Sequence, residues 1–238
     1  MNPSQIVLLK PTYADVRHSL KVRYSAVRLF VLSPGCLLMM TACLGTSPKE
    51  HFYTLSTTST VNTSFKNEDS QLQNAIINLG AVTINEVVDR PQLVMRLSTS
   101  QVKILEQQRW AQPLKNEIGR VIANNLSTLL NNQNVRSYPA TNSSIAVSHK
   151  DTDSISKNNA FKIQINVPQF ESNLDKNTHI AMQYNIRRVS DNQQLNGTVE
   201  LTQPVNNTGY DALVEAQSRA LAQMSAQIAE QLKILAKY

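Results

Sequence analysis

The chain has 238 residues, of which 41% are hydrophobic and 17% charged, a composition typical of globular proteins and not of disordered or collagen-like ones. No apolar run reaches the roughly 18 residues of a confident membrane-spanning helix, which excludes a polytopic membrane protein. The net charge is +6, but residues 1–42 carry five basic residues against Asp15, a net charge of +4. The remaining +2 leaves the body of the chain nearly neutral, so no nucleic-acid partner is expected.

The amino terminus has the layout of a secretory signal. A positively charged stretch is followed by the apolar segment 29–40 and then by the small residue Ala42 directly before Cys43. This order predicts a signal peptide over residues 1–42 that is removed. It resembles a bacterial lipoprotein signal, in which a diacylglycerol is attached to the cysteine sulfur and the new amino terminus is acylated. Cys43 is therefore the predicted lipidation site, and an uncleaved anchor or a chance cysteine is the alternative.

The cysteine count agrees with a lipoprotein. Of the two cysteines, Cys36 lies inside the predicted signal, so Cys43 remains alone and no disulfide is expected in the mature chain. Two or three acyl chains hold a protein on a membrane essentially permanently. Leu44 follows the cysteine where an Asp typically retains lipoproteins in the inner membrane. By analogy, we expect a lipid-anchored protein on the periplasmic side of the outer membrane.

The first half of the mature chain is predicted from its spacing. Residues 43–72 are expected to form a tether with a short strand near 52–55 and a mobile polar linker over 56–72. The globular domain is expected over 73–238, beginning with a central buried strand over 75–84 and a hairpin formed by residues 93–97 and 102–105. Pro113 then opens an amphipathic helix that ends near residues 131–132. Its apolar stripe is Leu114, Ile118, Val121, Ile122, Leu126, Leu129 and Leu130.

The second half is predicted to complete one layered domain. A short strand over 135–138 precedes a polar insertion near 139–159, for which disorder is favoured over a partner contact. Alternating residues predict an antiparallel meander of strands over 161–167, 180–186 and 195–201. The last helix has the buried stripe Leu213, Val214, Ala220, Leu221, Met224, Ile228, Leu232 and Leu235. The expected fold is mixed α/β, a single domain with a mixed, largely antiparallel sheet of five or six strands packed against two main helices.

A search for catalytic chemistry finds no candidate centre. The 6 glycines are too dispersed for a phosphate-binding loop. His51, His149 and His179 are far apart in sequence and begin no zinc motif, so no metal site and no cofactor are expected. No nucleophile elbow of the G-x-S-x-G type occurs, so we expect a protein that is not an enzyme. A triad assembled from distant residues stays open.

Three clusters of residues stand out without a catalytic pattern. An ion pair and a proline precede a strand, the single tryptophan precedes the first helix, and a tyrosine opens the last helix. For each cluster a structural role, in a turn or in packing, stands beside a role in partner contact. The candidate residues are Asp89, Arg90, Pro91, Trp110, Pro113, Leu114 and Tyr210.

These clusters resemble the PqiC/YmbA-type lipoproteins, the auxiliary lipoprotein components of ABC-type intermembrane transport systems. The matching pieces follow the family's order along the mature chain. They are Cys43, Phe52-Tyr53-Thr54-Leu55, Asp89-Arg90-Pro91-Gln92-Leu93-Val94, Trp110-Ala111-Gln112-Pro113-Leu114, Val167-Pro168-Gln169-Phe170 and Tyr210-Asp211-Ala212-Leu213-Val214-Glu215-Ala216. Phe52 stands where the family usually has tyrosine, and Gln112 stands where it usually has glutamate.

The resemblance implies a non-catalytic partner protein. Family members are outer-membrane lipoproteins that work with periplasm-spanning MCE-domain proteins of a lipid transport system. We therefore expect an MCE-domain protein and the outer membrane as partners. The alternatives are a structural lipoprotein of envelope assembly or peptidoglycan contact, and an unrecognised periplasmic hydrolase. Helical periodicity does not separate core positions from positions used for self-association, so homo-oligomerisation stays open.

Overall fold

Nine strands and three helices occur in residues 48–58, 70–138, 159–174 and 176–237, the parts of the chain that the computed structural model describes. The strands are β1 (His51–Tyr53), β2 (Ile76–Leu79), β3 (Thr83–Ile84), β4 (Gln92–Arg96), β5 (Val102–Trp110), β6 (Val135–Ser137), β7 (Ala160–Asn173), β8 (Asn177–Arg188) and β9 (Gln194–Pro204). The helices are α1 (Ser70–Gln73), α2 (Leu114–Leu129) and α3 (Tyr210–Lys237). The described residues belong to one compact unit, Pro48–Tyr238.

Several sequence predictions lie outside these ranges. They are the signal peptide over 1–42, the lipidation site Cys43, linker residues 59–69, and the insertion near 139–159 apart from its last residue.

The larger sheet confirms the predicted mixed α/β fold. It has six strands in the order β6-β2-β7-β8-β9, and β3 pairs with β7 beside β2. The pairs β6 with β2, β2 with β7 and β3 with β7 are parallel, whereas β7, β8 and β9 form the predicted antiparallel meander. The long meander strands make the sheet largely antiparallel in extent.

A second sheet, which the sequence analysis did not separate from the first, contains the predicted hairpin. The antiparallel strands β4 and β5 form this hairpin, and β1 adds in parallel to β5 to give the order β1-β5-β4. Alternation of residues predicts that a segment is a strand, but it does not say which other strand will pair with it. The short strand near 52–55 therefore belongs to the domain and is not part of a free tether.

The apolar segment 75–84 is two strands and not one. β2 and β3 pair successively with the same strand β7, at residues 160–163 and at residues 166–167. Between them the chain shifts its inward positions by one residue, so that Val82 is buried while Ala81 and Thr83 are exposed. Val82 approaches Gly119 of α2, where an added Cβ would lie 3.4 Å from the valine Cγ2. The interruption thus lets Val82 pack against the helix.

A bulge in β7 has a similar effect at the family motif Val167-Pro168-Gln169-Phe170. The pairing with β8 shifts between Asn166 and Gln169, which leaves Val167 and Pro168 in the irregular stretch. Proline is tolerated there because a bulge leaves a backbone amide without a ladder partner. The shift makes both Val167 and Phe170 buried, three residues apart, where regular alternation would expose one of them.

The two long helices present the predicted apolar stripes. All eight predicted stripe residues of α3 are buried, and in α2 the buried set includes Leu114, Ile118, Val121, Ile122 and Leu126. The helix α2 ends as expected, with Asn131 in the left-handed region at a φ of 47°. Within the described residues, neither helix has a stretch long and apolar enough to cross a bilayer.

The end of the predicted linker is ordered by a buried asparagine. Residues 70–73 form α1, in which Leu72 is buried. The Asn132 side chain donates hydrogen bonds to the carbonyl oxygens of Leu72, at 2.6 Å, and Ala75, at 2.8 Å. These contacts join α1 to the turn after α2, so residues 70–72, which were predicted as part of a mobile linker, are packed on the domain.

The turn between β8 and β9 is fixed to the end of α3. The Arg188 guanidinium donates to the Asp191 carboxylate and to the carbonyl oxygen of Leu235. The hydrogen bond from Arg188 lowers the pKa of Asp191 to about 2, so this carboxylate stays ionised over the whole physiological range.

Candidate functional site

The family-like motifs meet at one place in the fold, which we call the motif junction. It comprises β1, the end of β5, the starts of α2 and α3, and the turn before β4. The sequence candidates at this junction are Asp89, Arg90, Pro91, Trp110, Pro113, Leu114 and Tyr210. The structure thus brings together motifs that are separated by up to about two thirds of the chain.

Backbone hydrogen bonds join three of the motifs. Tyr53 of β1 lies opposite Trp110 of β5 in parallel register. The Trp110 amide donates to the carbonyl oxygen of Pro91 at 2.7 Å, and the Ala111 amide donates to that of Tyr53 at 2.8 Å. The chain leaving β5 is therefore held on both sides, directly before the first residue of α2.

Trp110 is a core residue. Its side chain is 6% exposed and makes an edge contact with Phe170, with ring centroids 6.5 Å apart and an interplanar angle of 69°. Perpendicular aromatic pairs of this kind stabilise a core beyond the area they bury. The bulge at residues 167–168 is what turns Phe170 towards the tryptophan. This environment supports a packing role for Trp110, and its role in partner contact stays a prediction.

Tyr210 has an equivalent place beside β1. Its ring meets that of Tyr53 edge-on, with centroids 6.4 Å apart. The Tyr53 hydroxyl donates to the Gln108 side-chain oxygen at 2.5 Å. Burial is the main cause that raises the pKa of Tyr53, and the nearby Asp211 adds to it. Both tyrosines are half-buried, so they fix the start of α3 against β1.

The remaining candidates lie at the surface of the junction or at the start of α2. Asp89 is exposed and pairs with Lys115 at 3.1 Å, which joins the turn before β4 to α2. Pro113 is the N-cap residue and not the first helical residue that was predicted. The helix begins one residue later, at the buried Leu114. Arg90 is half-buried, and its Nε is enclosed without a hydrogen-bond partner in the described part of the chain.

A buried carboxylate that the sequence analysis missed is central to the junction. Glu117, in the first turn of α2, is 1% exposed. Its Oε2 accepts hydrogen bonds from the Leu55 amide at 2.9 Å, the Thr54 hydroxyl at 2.7 Å and the Arg120 guanidinium at 2.7 Å. Arg120 also donates to the carbonyl oxygen of Leu55 at 2.6 Å.

This network explains why β1 stays on the domain. The Glu117 carboxylate and the Arg120 guanidinium satisfy the backbone amide and carbonyl of Leu55, so this segment is fixed where its own strand ends. The Ser56 amide donates to the Ser218 hydroxyl of α3 at 3.1 Å and extends the attachment to the second helix. The only local signal in the sequence was an acid and a base three residues apart, a spacing that usually marks a solvated pair.

Exposed apolar side chains gather on the hairpin of the three-stranded sheet and on the turn before it, and the half-buried Val94 lies among them. We call this surface the hairpin patch: Val87, Val94, Leu97, Val102 and Ile104. Ile104 lies opposite Val94 in the ladder. Val87, Val94 and Val102 line one shallow depression. Among the described residues, the exposed large apolar side chains outside this patch are Phe52, Tyr138 and Ile234.

A histidine cluster on the larger sheet is the candidate catalytic group for the alternative function, a periplasmic hydrolase. The His179 ring contacts the Thr202 hydroxyl at 3.0 Å and the Glu200 carboxylate at 3.1 Å. Glu200 and Thr202 are exposed on strand β9. A catalytic triad needs a substrate position beside the nucleophile and donors aimed at the oxyanion. The cluster joins β8 to β9, which are paired in the sheet. We therefore interpret it as a surface contact between neighbouring strands.

The fold and the motif junction define a mixed α/β domain whose amino-terminal strand is built into its smaller sheet. Residues 53–229 match the model of the family described as ABC-type transport auxiliary lipoprotein component, and the chain belongs to this family. The search of curated proteins found no match.

Two solved structures share the fold. One is titled only as the crystal structure of an uncharacterized protein, with a TM-score of 0.57 and 19% identity, and the match covers 78% of this chain and 99% of that one. The other is protein XCC0632 from Xanthomonas campestris, with a TM-score of 0.56 and 16% identity, covering 75% of this chain and 92% of that one. At these identities the likeness concerns the fold alone.

Proposed function

We propose that the protein is an outer-membrane-anchored periplasmic lipoprotein that acts as a non-catalytic docking component of an MCE-type ABC intermembrane lipid transport system. The family description as a transport auxiliary lipoprotein supports this role. The observation that carries the docking part is the hairpin patch. Apolar side chains concentrated on one exposed hairpin are typical of a surface that a protein partner covers.

The order of residues 51–55 bears on how the proposed anchor would work. The polar linker after residue 56 was expected to give the domain its reach, but His51 already belongs to β1 and Leu55 is buried in the domain. On this proposal the tether between Cys43 and β1 is residues 44–50, and Glu50 already pairs with Arg109 of β5. An extended chain rises at most about 3.6 Å per residue, so the start of β1 lies within roughly 30 Å of the lipidated cysteine. A short tether holds the domain against the leaflet and raises the local concentration for docking.

The anchor itself is tested by Cys43→Ala. We expect this variant to lose its association with the outer membrane, because acylation requires the cysteine sulfur, while the described domain keeps its fold. Membrane fractionation after a carbonate wash, with circular dichroism of the recovered protein, measures both. Recovery of a folded variant in the outer-membrane fraction after the wash would show that something other than the lipid holds the protein there.

The docking surface is tested by Ile104→Asp in the hairpin patch. We expect at least a tenfold loss of the co-purifying MCE-domain protein in a pull-down of the lipidated protein in mild detergent, because a buried charge at an apolar contact is costly. Ile234→Asp on α3 is the matched control, since Ile104 is 38% exposed and Ile234 is 45% exposed. Mass spectrometry of the eluate identifies the partner.

The two variants separate the possible results. Loss with Ile104→Asp and retention with Ile234→Asp supports docking through the hairpin patch. Equal recovery in both variants would contradict the patch as the contact. Recovery of peptidoglycan fragments or envelope assembly factors in place of an MCE-domain protein would move the function to the structural alternative.

A further inference from the structure

A row of cations crosses the exposed face of the larger sheet. Arg136, Asn78, Lys162, Arg187 and Gln194 are successive ladder partners on β6, β2, β7, β8 and β9. Side chains directly opposite each other in a sheet share a face. Neighbouring strands are about 4.8 Å apart, so Lys162 lies about 5 Å from Arg187 and about 10 Å from Arg136 between backbones.

The positive charges of this cation row have no carboxylate partner in the described chain. Lys162 and Arg136 make no side-chain hydrogen bond or ion pair there, and both are exposed. Arg187 donates to the neutral Asn192 side chain at 3.0 Å. The acids on the same face of the described strands are Glu200 and Glu171. Glu200 pairs with His179 and lies six residues along β9 from the row, about 20 Å away, and Glu171 pairs with Arg96 and lies nine residues along β7 from Lys162. Three unpaired cations within one row favour an anionic ligand.

Amide side chains continue the face directly beside the cation row. Gln164, Asn185 and Asn196 are the next outward ladder partners, and Asn166 with Gln183 follow them. Asn185 donates to Asn196 at 2.7 Å, and Asn166 donates to Gln183 at 3.2 Å, so the amides are held in place. Asn185 also donates to Gln194 at 3.1 Å, which uses both of its N–H groups, whereas the amide nitrogens of Gln164, Asn196 and Gln183 donate to no side chain in the described residues.

The surface over these rows is a continuous set of depressions. A depression of about 370 Å³ is lined by Arg136, Tyr138 and Lys162, and one of about 230 Å³ is lined by Lys162, Arg187 and Asn185. A third, of about 740 Å³, is lined by the amides. Gln164 lines all three. Tyr138 is 63% exposed beside the cations, and tyrosine is enriched where an apolar surface meets water.

We propose that this face binds the headgroups of anionic glycerophospholipids at the membrane surface. The cation row would pair with the phosphates, and the amides would hydrogen-bond to the glycerol hydroxyls and ester carbonyls. Tyr138 would lie at the boundary between headgroup and acyl chain. The length of the tether selects the bilayer over a soluble anion, because residues 44–50 hold the domain within reach of it. The inference rests on the lipid anchor of the proposed function but not on docking through the hairpin patch.

The test is a calorimetric titration of the purified, lipidated mature protein in neutral detergent with dihexanoyl-phosphatidylglycerol. Each cation near an anionic surface contributes about fivefold in affinity, so Lys162→Gln should weaken binding about fivefold and the double variant with Arg187→Gln about 25-fold. Lys103→Gln is the matched control, because Lys103 is an exposed lysine of the other sheet. Dihexanoyl-phosphatidylcholine, glycerol 3-phosphate and inorganic phosphate are the comparison ligands.

Each result decides the proposal. Weakening by Lys162→Gln but not by Lys103→Gln, with phosphatidylglycerol preferred over phosphatidylcholine and over both small phosphates, supports a lipid headgroup site. Equal weakening by both lysine variants, or inorganic phosphate binding as tightly as phosphatidylglycerol, would overturn it. So would unchanged lipid binding together with a change in oligomer mass by light scattering, which would assign the face to a second copy. The pull-down with Ile104→Asp reports separately on docking.

Discussion

Trp110→Ala is expected to lower the free energy of unfolding by about 4 kcal/mol, because it removes a large buried side chain and leaves a cavity beside Phe170. The tryptophan fixes the end of β5 directly before α2, so the loss should extend to the attachment of β1. Urea unfolding followed by circular dichroism at 222 nm measures the change. Trp110 is also the single tryptophan of the chain. Its native fluorescence should therefore be blue-shifted relative to the unfolded protein and poorly quenched by iodide.

The control for this variant is Phe52→Ala on the neighbouring strand β1. Phe52 is 61% exposed, so truncation of its ring should change the unfolding free energy by no more than about 0.5 kcal/mol. A Trp110→Ala protein as stable as the parent would show that the ring is not packed as described. That result would favour a role for Trp110 in contact with a partner.

Glu117→Gln is expected to lower the unfolding free energy by about 2 kcal/mol. The substitution keeps the shape but removes the charge that accepts from the Leu55 amide and from Arg120, and hydrogen bonds to charged groups contribute about 1.5–3 kcal/mol. Arg120 is partly exposed, so water weakens its share of this energy. Hydrogen exchange of the Leu55 amide should become faster, because its acceptor is weakened.

Glu215→Gln is the matched comparison for this substitution. Glu215 lies near the start of α3 but is exposed, so its neutralisation should leave both stability and exchange at residue 55 nearly unchanged. Similar effects of the two substitutions would mean that Glu117 contributes only through the helix dipole and not through β1.

The motif junction gives a physical reason for the motifs that carried the family resemblance. Tyr53 of one motif contacts Tyr210 of another. Trp110 of a third motif contacts Phe170 of a fourth. The carbonyl oxygen of Pro91, in a fifth motif, accepts a hydrogen bond from the Trp110 amide. These residues therefore hold an amino-terminal strand, two helix starts and the smaller sheet together. The surfaces proposed for docking and for lipid lie elsewhere, and Val94 of the hairpin patch is their one residue that belongs to a motif.

Local patterns in the sequence were sufficient for the two long helices and the meander. The stripe of α3 and the alternation of Phe161, Ile163 and Ile165 depend on which face of a single element is buried, and spacing along the chain reports that directly. The predicted lipoprotein signal, which stays a prediction, is also a local pattern, because charge, apolar length and a cysteine follow each other in order.

Contacts between distant segments were decided only by the tertiary structure. Leu55 and Glu117 are 62 residues apart, and nothing in the spacing around either residue indicates the other. The same is true of the second sheet, because strand alternation does not choose a pairing partner. The cation row was hidden for this reason as well. Arg136, Lys162 and Arg187 are far apart in sequence, and the ladder of the sheet places them in one row.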